Sequence, residues 1–263
     1  MLLVREKVIK MLIQTCSFNI FFPPSRKIRE HLFEYENFFT GFQKPFNLIP
    51  IPPDAPNEIP RIIATTEHNH SQLMISGNSA QLTTKFDSAY NQDIKKCVYY
   101  VHEKCKSIIE ALSKIEEVVG SNSRFYYSGM TMVISFDASD GIADPANYIS
   151  SKFLKCNTNL PVDETQFRIA LVVENGYYVN IMLQNNRNFI GNPDERGSFV
   201  WAEAEKENLL VTLDINDRYA FNHVQNYISS EVAVDHIAQL MEEFASEYLN
   251  GFIMEAELIY ASK

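Results

Sequence analysis

Near the start of the chain the spacing of apolar positions changes once, from two to between three and four. In "LIQTCSFNIF" (12–21) and the residue that follows, Phe18, Ile20 and Phe22 alternate with other side chains, which is the period of a strand. Pro23 and Pro24 end that strand, because neither can donate to a ladder. Ser25 is then the expected N-cap of a helix over 25–40, on which Ile28, Leu32, Tyr35 and Phe39 form one stripe. Alternation sends Phe18, Ile20 and Phe22 into the core and turns Phe21 to the other face. The aromatic-rich opening therefore reads as core rather than as a membrane anchor.

"QKPFNLIPIPPDAPNEIP" (43–60) has no period and is read as an extended strap across one layer of the fold. Three short strands follow, "RIIATTE", "SQLMIS" and "AQLTTKF", joined at "HNH" and "GNS", so an antiparallel meander is expected. The longest helical pattern is 91–119. There Ile94, Val98, Val101, Cys105, Ile108, Leu112, Ile115 and Val119 make a seam of roughly 3.5-residue period, closed by Gly120. Such a helix either lies across a sheet or pairs with a copy of itself.

After it come a strand, "RFYYSGMTMVISF", and a short helix from Asp144-Pro145 to about Leu154. "QFRIALVVENGYYVNIMLQN" predicts a hairpin with Asn175-Gly176 in a two-residue type I′ turn. "SFVWAEAE" and "NLLVTLDIN" read as two more strands. A last helix over 230–249 carries Ile237, Leu240, Phe244 and Tyr248 on one face and stops at Asn250-Gly251. The expected fold is α+β, with two similar halves, 11–140 and 141–263. Each half is an antiparallel meander packed by a long amphipathic helix.

The chain has 263 residues and a formal net charge of −10, without the basic stripe that a general nucleic-acid binder needs. Its four cysteines, Cys16, Cys97, Cys105 and Cys156, include no CxxC pair and suggest reduced thiols in a cytoplasmic protein. Lys10 and Gln14 interrupt the apolar N-terminus, no cleavage signal follows, and no apolar run approaches a membrane span. Met11 is an alternative start to Met1.

"FNIFFPPSRKI", "IPRIIATTEHNHSQLMISGNSAQLTTKF" and "LVTLDIN" before "EEFASEYLNGF" give the chain a resemblance to a sporadically distributed prokaryotic family of similar length. That family has no assigned activity. The resemblance implies a genome-variable accessory protein linked to mobile elements or defence, and no catalytic residues.

Candidate chemistry is sparse. His68 and His70 offer two imidazoles, with only Glu67 nearby, where zinc takes three or four ligands. Cys97, Cys105 and His102 share one region of the long helix, where a small buried thiol usually serves as packing. Asp137, Asp140 and Asp144 in "FDASDGIADP" are the best enzyme-like feature, since convergent carboxylates hold Mg²⁺ or Ca²⁺. Asp214 and Asp217 in "LDINDR" repeat that shape later. Tyr126, Tyr127, Tyr177, Tyr178 and Trp201 are candidates for a ligand pocket or an interface. There is no P-loop, GxGxxG or GxSxG. The sequence thus points to a non-catalytic protein that self-associates or docks a protein partner, without a cofactor. The alternatives are a metal-dependent enzyme using the aspartates and a small-ligand binder with its pocket between the halves.

Overall fold

A computed structural model describes residues 10–25, 28–52, 54–115, 125–137, 142–156, 158–174, 176–193, 196 and 199–260. At Leu32, Asp137, 188–193 and 199–206 it describes the backbone alone. The strands are β1 (Met11–Phe21), β2 (Asn47–Leu48), β3 (Ile62–Thr65), β4 (Ser71–Ile75) and β5 (Ser79–Lys85). They continue with β6 (Tyr127–Asp137), β7 (Gln166–Val173), β8 (Tyr177–Pro193) and β9 (Phe199–Asn216). All join one nine-stranded sheet in the order β2-β3-β4-β5-β1-β6-β9-β8-β7, with every pairing antiparallel.

Among the described residues the α-helices are α1 (Ile28–Tyr35), α2 (Ile94–Ser113), α3 (Pro145–Lys152), α4 (Arg218–His223), α5 (Glu231–Glu243) and α6 (Leu249–Glu255). Helix α2 lies on β1 and β5, and α5 lies beside it on β6 and β9. Three helices start on a side-chain oxygen that accepts an orphan amide: Asp93 from Lys96, Asp144 from Asn147 and Ser230 from Ala233.

Period two decides which sheet face meets the helices. Cys16, Phe18 and Ile20 of β1, Met130, Met132 and Ile134 of β6, and Leu209, Val211 and Leu213 of β9 are all buried. Their neighbours Ser17, Asn19, Thr131, Thr212 and Asp214 point the other way and stay partly exposed. Phe21 is on that second face and stacks on Tyr127 at 4.3 Å. The seam on α2 is buried in its own chain: Val98, Val101, Cys105, Ile108 and Leu112, with Ile115 just beyond, pack into the core. Of the two outcomes open to such a helix, this one lies across a sheet, and from Val98 to Ile115 its seam is covered by its own chain. Val119 and Gly120 lie outside the described residues.

Four local expectations are corrected. Ser25 does not cap α1. Its amide donates to the Gly77 carbonyl at 2.7 Å, and its buried hydroxyl has no hydrogen bond among the described residues. The β7–β8 register pairs Val173 with Tyr177, which leaves three residues in the loop instead of two, and Glu174 takes φ 50. Asn175 itself lies outside the described residues. The stretches expected as two strands around 198–216 form the single strand β9, whose partner β8 is long enough to pair with it throughout. The last helix does not stop at Gly251: a π-helical turn (Phe244–Tyr248) leads into α6, and Ala256 at φ 57 ends it. The strap at 43–60 runs along the far edge and adds β2 against β3.

Candidate functional site

A cleft of 510 Å³ lies where the β3–β4 turn, the end of β5 and the first half of α2 meet. Helical spacing builds one wall. Lys96, Tyr99, Tyr100, Glu103 and Lys104 recur every three or four residues on α2, outside its buried seam. Tyr100 is fixed from behind. The Ser71 hydroxyl donates to its phenol oxygen at 3.3 Å, Ser71 lies 2.9 Å from the Thr84 hydroxyl, and Phe86 meets the Tyr100 ring edge-on at 6.3 Å. In that chain of hydroxyls the proton of Tyr100 is left over at the cleft wall.

Lys104 extends over two rings, 5.5 Å from the centroid of Phe42 and 6.0 Å from that of Tyr100. Gly41 makes this possible: it sits at φ 75, and a Cβ there would collide with the Lys104 ammonium. Lys85 and Lys104 have no carboxylate partner among the described residues, whereas Lys96 pairs with Asp93 at 3.1 Å. The cleft thus gathers three lysines against two carboxylates, Asp87 and Glu103, in a chain of net charge −10. Asp87 is partly committed, since its Oδ1 accepts from the Ala89 amide at 2.9 Å. His68 and His70 also line the cleft, their rings 6.2 Å apart at the tip of the β3–β4 turn.

The residues singled out from sequence fall in several places. Asp140 and the Asp137 side chain lie outside the described residues, and Asp144 caps α3, its Oδ1 accepting from the Asn147 amide at 2.9 Å. Asp214 sits on the open sheet face and accepts from Thr131 at 3.1 Å and from the amides of Asn180 and Asn216 at 2.9 Å each. Asp217 is different: it is wholly buried and accepts from the Ser128 amide at 2.6 Å, the Ser229 hydroxyl at 2.5 Å and the Tyr227 hydroxyl at 2.8 Å. Burial pushes its carboxyl above the usual range, against those hydrogen bonds. It joins the start of β6 to the loop before α5, a structural tie that the repeated aspartate spacing did not reveal. No group of three or more His, Cys, Asp or Glu among the described residues is arranged to hold a metal ion.

The tyrosine pairs surround α4. Tyr126 and Tyr127 contact Phe221 at 5.4 and 5.5 Å, Tyr178 meets Tyr219 at 5.3 Å, and Tyr177 packs on His236 at 4.8 Å. The side chain of Trp201 lies outside the described residues. Between the two long helices is a second cleft of 440 Å³, crossed by His102 bonded to Asp235 at 2.7 Å, with Lys106 at 3.2 Å from the same oxygen. None of the four tyrosines lines either cleft. Cys97 and Cys105 are buried thiols, and burial pushes Cys97 up to about 12, so neither is a ready nucleophile.

Sequence reasoning missed the first cleft. The signal was present: in "KKCVYYVHEK" Lys96, Tyr100 and Lys104 recur every four residues beside the apolar seam. Phe86 and Lys85 carried none, because only the meander brings them to the helix.

No protein-family model matches the chain, and no curated protein matches it. No helix among the described residues is long and apolar enough to cross a membrane.

Proposed function

We propose that the chain is a non-catalytic accessory protein of the cytoplasm whose partner is a second copy of itself, joined edge to edge through β7. The observation that carries this reading is the character of that edge. β7 is an outermost strand of the sheet, eight residues long, with no proline. Its only charge is Arg168. Native edge strands are usually short or bear a blocking charge or bulge, and a long apolar edge is a template for another strand. Phe167, Ile169 and Leu171 are half-buried towards the helices, while Arg168, Ala170 and Val172 are exposed on the open face. The exposed Leu154 and Leu160 stand on the segment that runs from α3 into β7.

The strand is complementary to itself. An antiparallel copy centred on Ala170 sets Ile169 beside the partner's Leu171 and Phe167 beside the partner's Val173, all on the helix-covered side. Arg168 then lies beside the partner's Val172, so the lone charge never meets itself. Such pairing continues the nine-stranded sheet across a twofold axis. The same reading takes the chain as two similar halves. The order strand, helix, meander, helix occurs as β1, α1, β3–β5, α2 and again as β6, α3, β7–β9, α5, with β1 and β6 adjacent at mid-sheet. Four free thiols support the cytoplasm.

Light scattering on a sizing column tests it. The wild type should elute as a dimer. Val172→Lys should weaken the dimer by placing a cation beside the partner's Arg168 twice, and Val172→Glu should strengthen it. Val172 is exposed, so the melting temperature of the protomer should hold. A strict monomer, or a dimer indifferent to both substitutions, overturns the proposal.

A further inference from the structure

We propose that the cleft beside α2 is a binding site for a nucleoside monophosphate or a planar anion of the same build, distinct from the edge at which copies pair. The volume of 510 Å³ falls within the roughly 300–1,000 Å³ of small-molecule sites, and the wall is mostly apolar. Two features select the ligand. Tyr90 and Tyr99 line the cleft and are exposed at 53% and 66%, and an exposed tyrosine ring can serve as a stacking platform for a base. Lys85 and Lys104 supply ammonium groups with no carboxylate partner among the described residues, as a phosphate requires. The Tyr100 hydroxyl adds a donor at the wall, held in place by Ser71.

Each half of this arrangement is weak alone. An apolar ligand gains nothing from the unpaired lysines, and a bare phosphate leaves the rings uncovered. A molecule with a flat ring system a few bonds from an anion satisfies both. A long nucleic acid is a poor match, because the chain carries −10 overall and the cleft offers only three lysines against two carboxylates. The mononucleotide is therefore the occupant, and an oligonucleotide is the competing outcome of the test.

Titration calorimetry at low salt with AMP and UMP decides it, with adenosine and inorganic phosphate as half-ligands. Both nucleotides should bind, and each half-ligand should bind at least about tenfold more weakly. Lys85→Glu and Tyr99→Ala should each weaken nucleotide binding about tenfold or more with an unchanged melting temperature, since both side chains are exposed. No heat with either nucleotide, or affinity unmoved by both substitutions, overturns the site. Tighter binding of a single-stranded oligonucleotide than of AMP overturns the mononucleotide assignment. The cleft borders β3–β5, at the opposite end of the sheet from β7, so the Val172 variants leave this titration unaffected and the two proposals fail separately.

Discussion

Replacing Asp217 with alanine removes the acceptor for three donors at once: the Ser128 amide, the Ser229 hydroxyl and the Tyr227 hydroxyl. Their fates differ. Tyr227 is only half-buried and finds water, and Ser229 is already 2.8 Å from the Ser128 hydroxyl, to which it can turn. The Ser128 amide is wholly buried and has no substitute, which costs about 1–3 kcal/mol, and the lost bonds to a charged acceptor add to it. Against this, removing the carboxylate relieves the burial that raises its pKa. A net loss of about 2–4 kcal/mol is expected in urea unfolding followed by circular dichroism at neutral pH. Asp217→Asn should lose less, since its amide oxygen still accepts from Ser128. The raised native pKa also fixes a sign. The wild type gains stability as pH falls from the native pKa towards the ordinary carboxylate value, and the asparagine variant lacks that gain. The difference in stability between them should therefore shift in favour of the wild type on acidification. A loss under about 0.5 kcal/mol for the alanine variant refutes the tie between β6 and the loop before α5.

Asp235 behaves in the opposite way: burial raises its pKa, but hydrogen bonds from His102 and Lys106 prevail and hold it low. Its contribution should be present above the ordinary carboxylate value and lost as pH falls through the lower native one, so Asp235→Ala should flatten the acid limb of a stability–pH curve. Cys156 is exposed and the other three cysteines are buried, so a thiol reagent should titrate one group quickly in the native protein and four after denaturation. Phe18→Ala should cost about 3–5 kcal/mol in the same unfolding assay. Phe21→Ala should cost about 1 kcal/mol, because Phe21 loses one stacked neighbour on the open face. Equal costs at the two positions would refute the assignment of faces.

The alternation around Phe18 and the seam from Ile94 to Ile115 were legible without coordinates, because their periods of two and about three and a half are properties of neighbours in the chain. So was the cap at Asp144, where a side chain reaches an amide three residues on. The hairpin's existence was equally local, but its register was not: one residue separates the two-residue turn from the loop found, and packing along the whole length of β7 and β8 decides between them. Tertiary structure alone decided that the seam faces its own sheet, since a helix stripe specifies an apolar surface and not whose surface covers it. It alone joined Lys85 and Phe86 to Tyr100 and Lys104, and Asp217 to Ser128, 89 positions away. Contacts of that kind depend on strand order, which no spacing along the chain encodes.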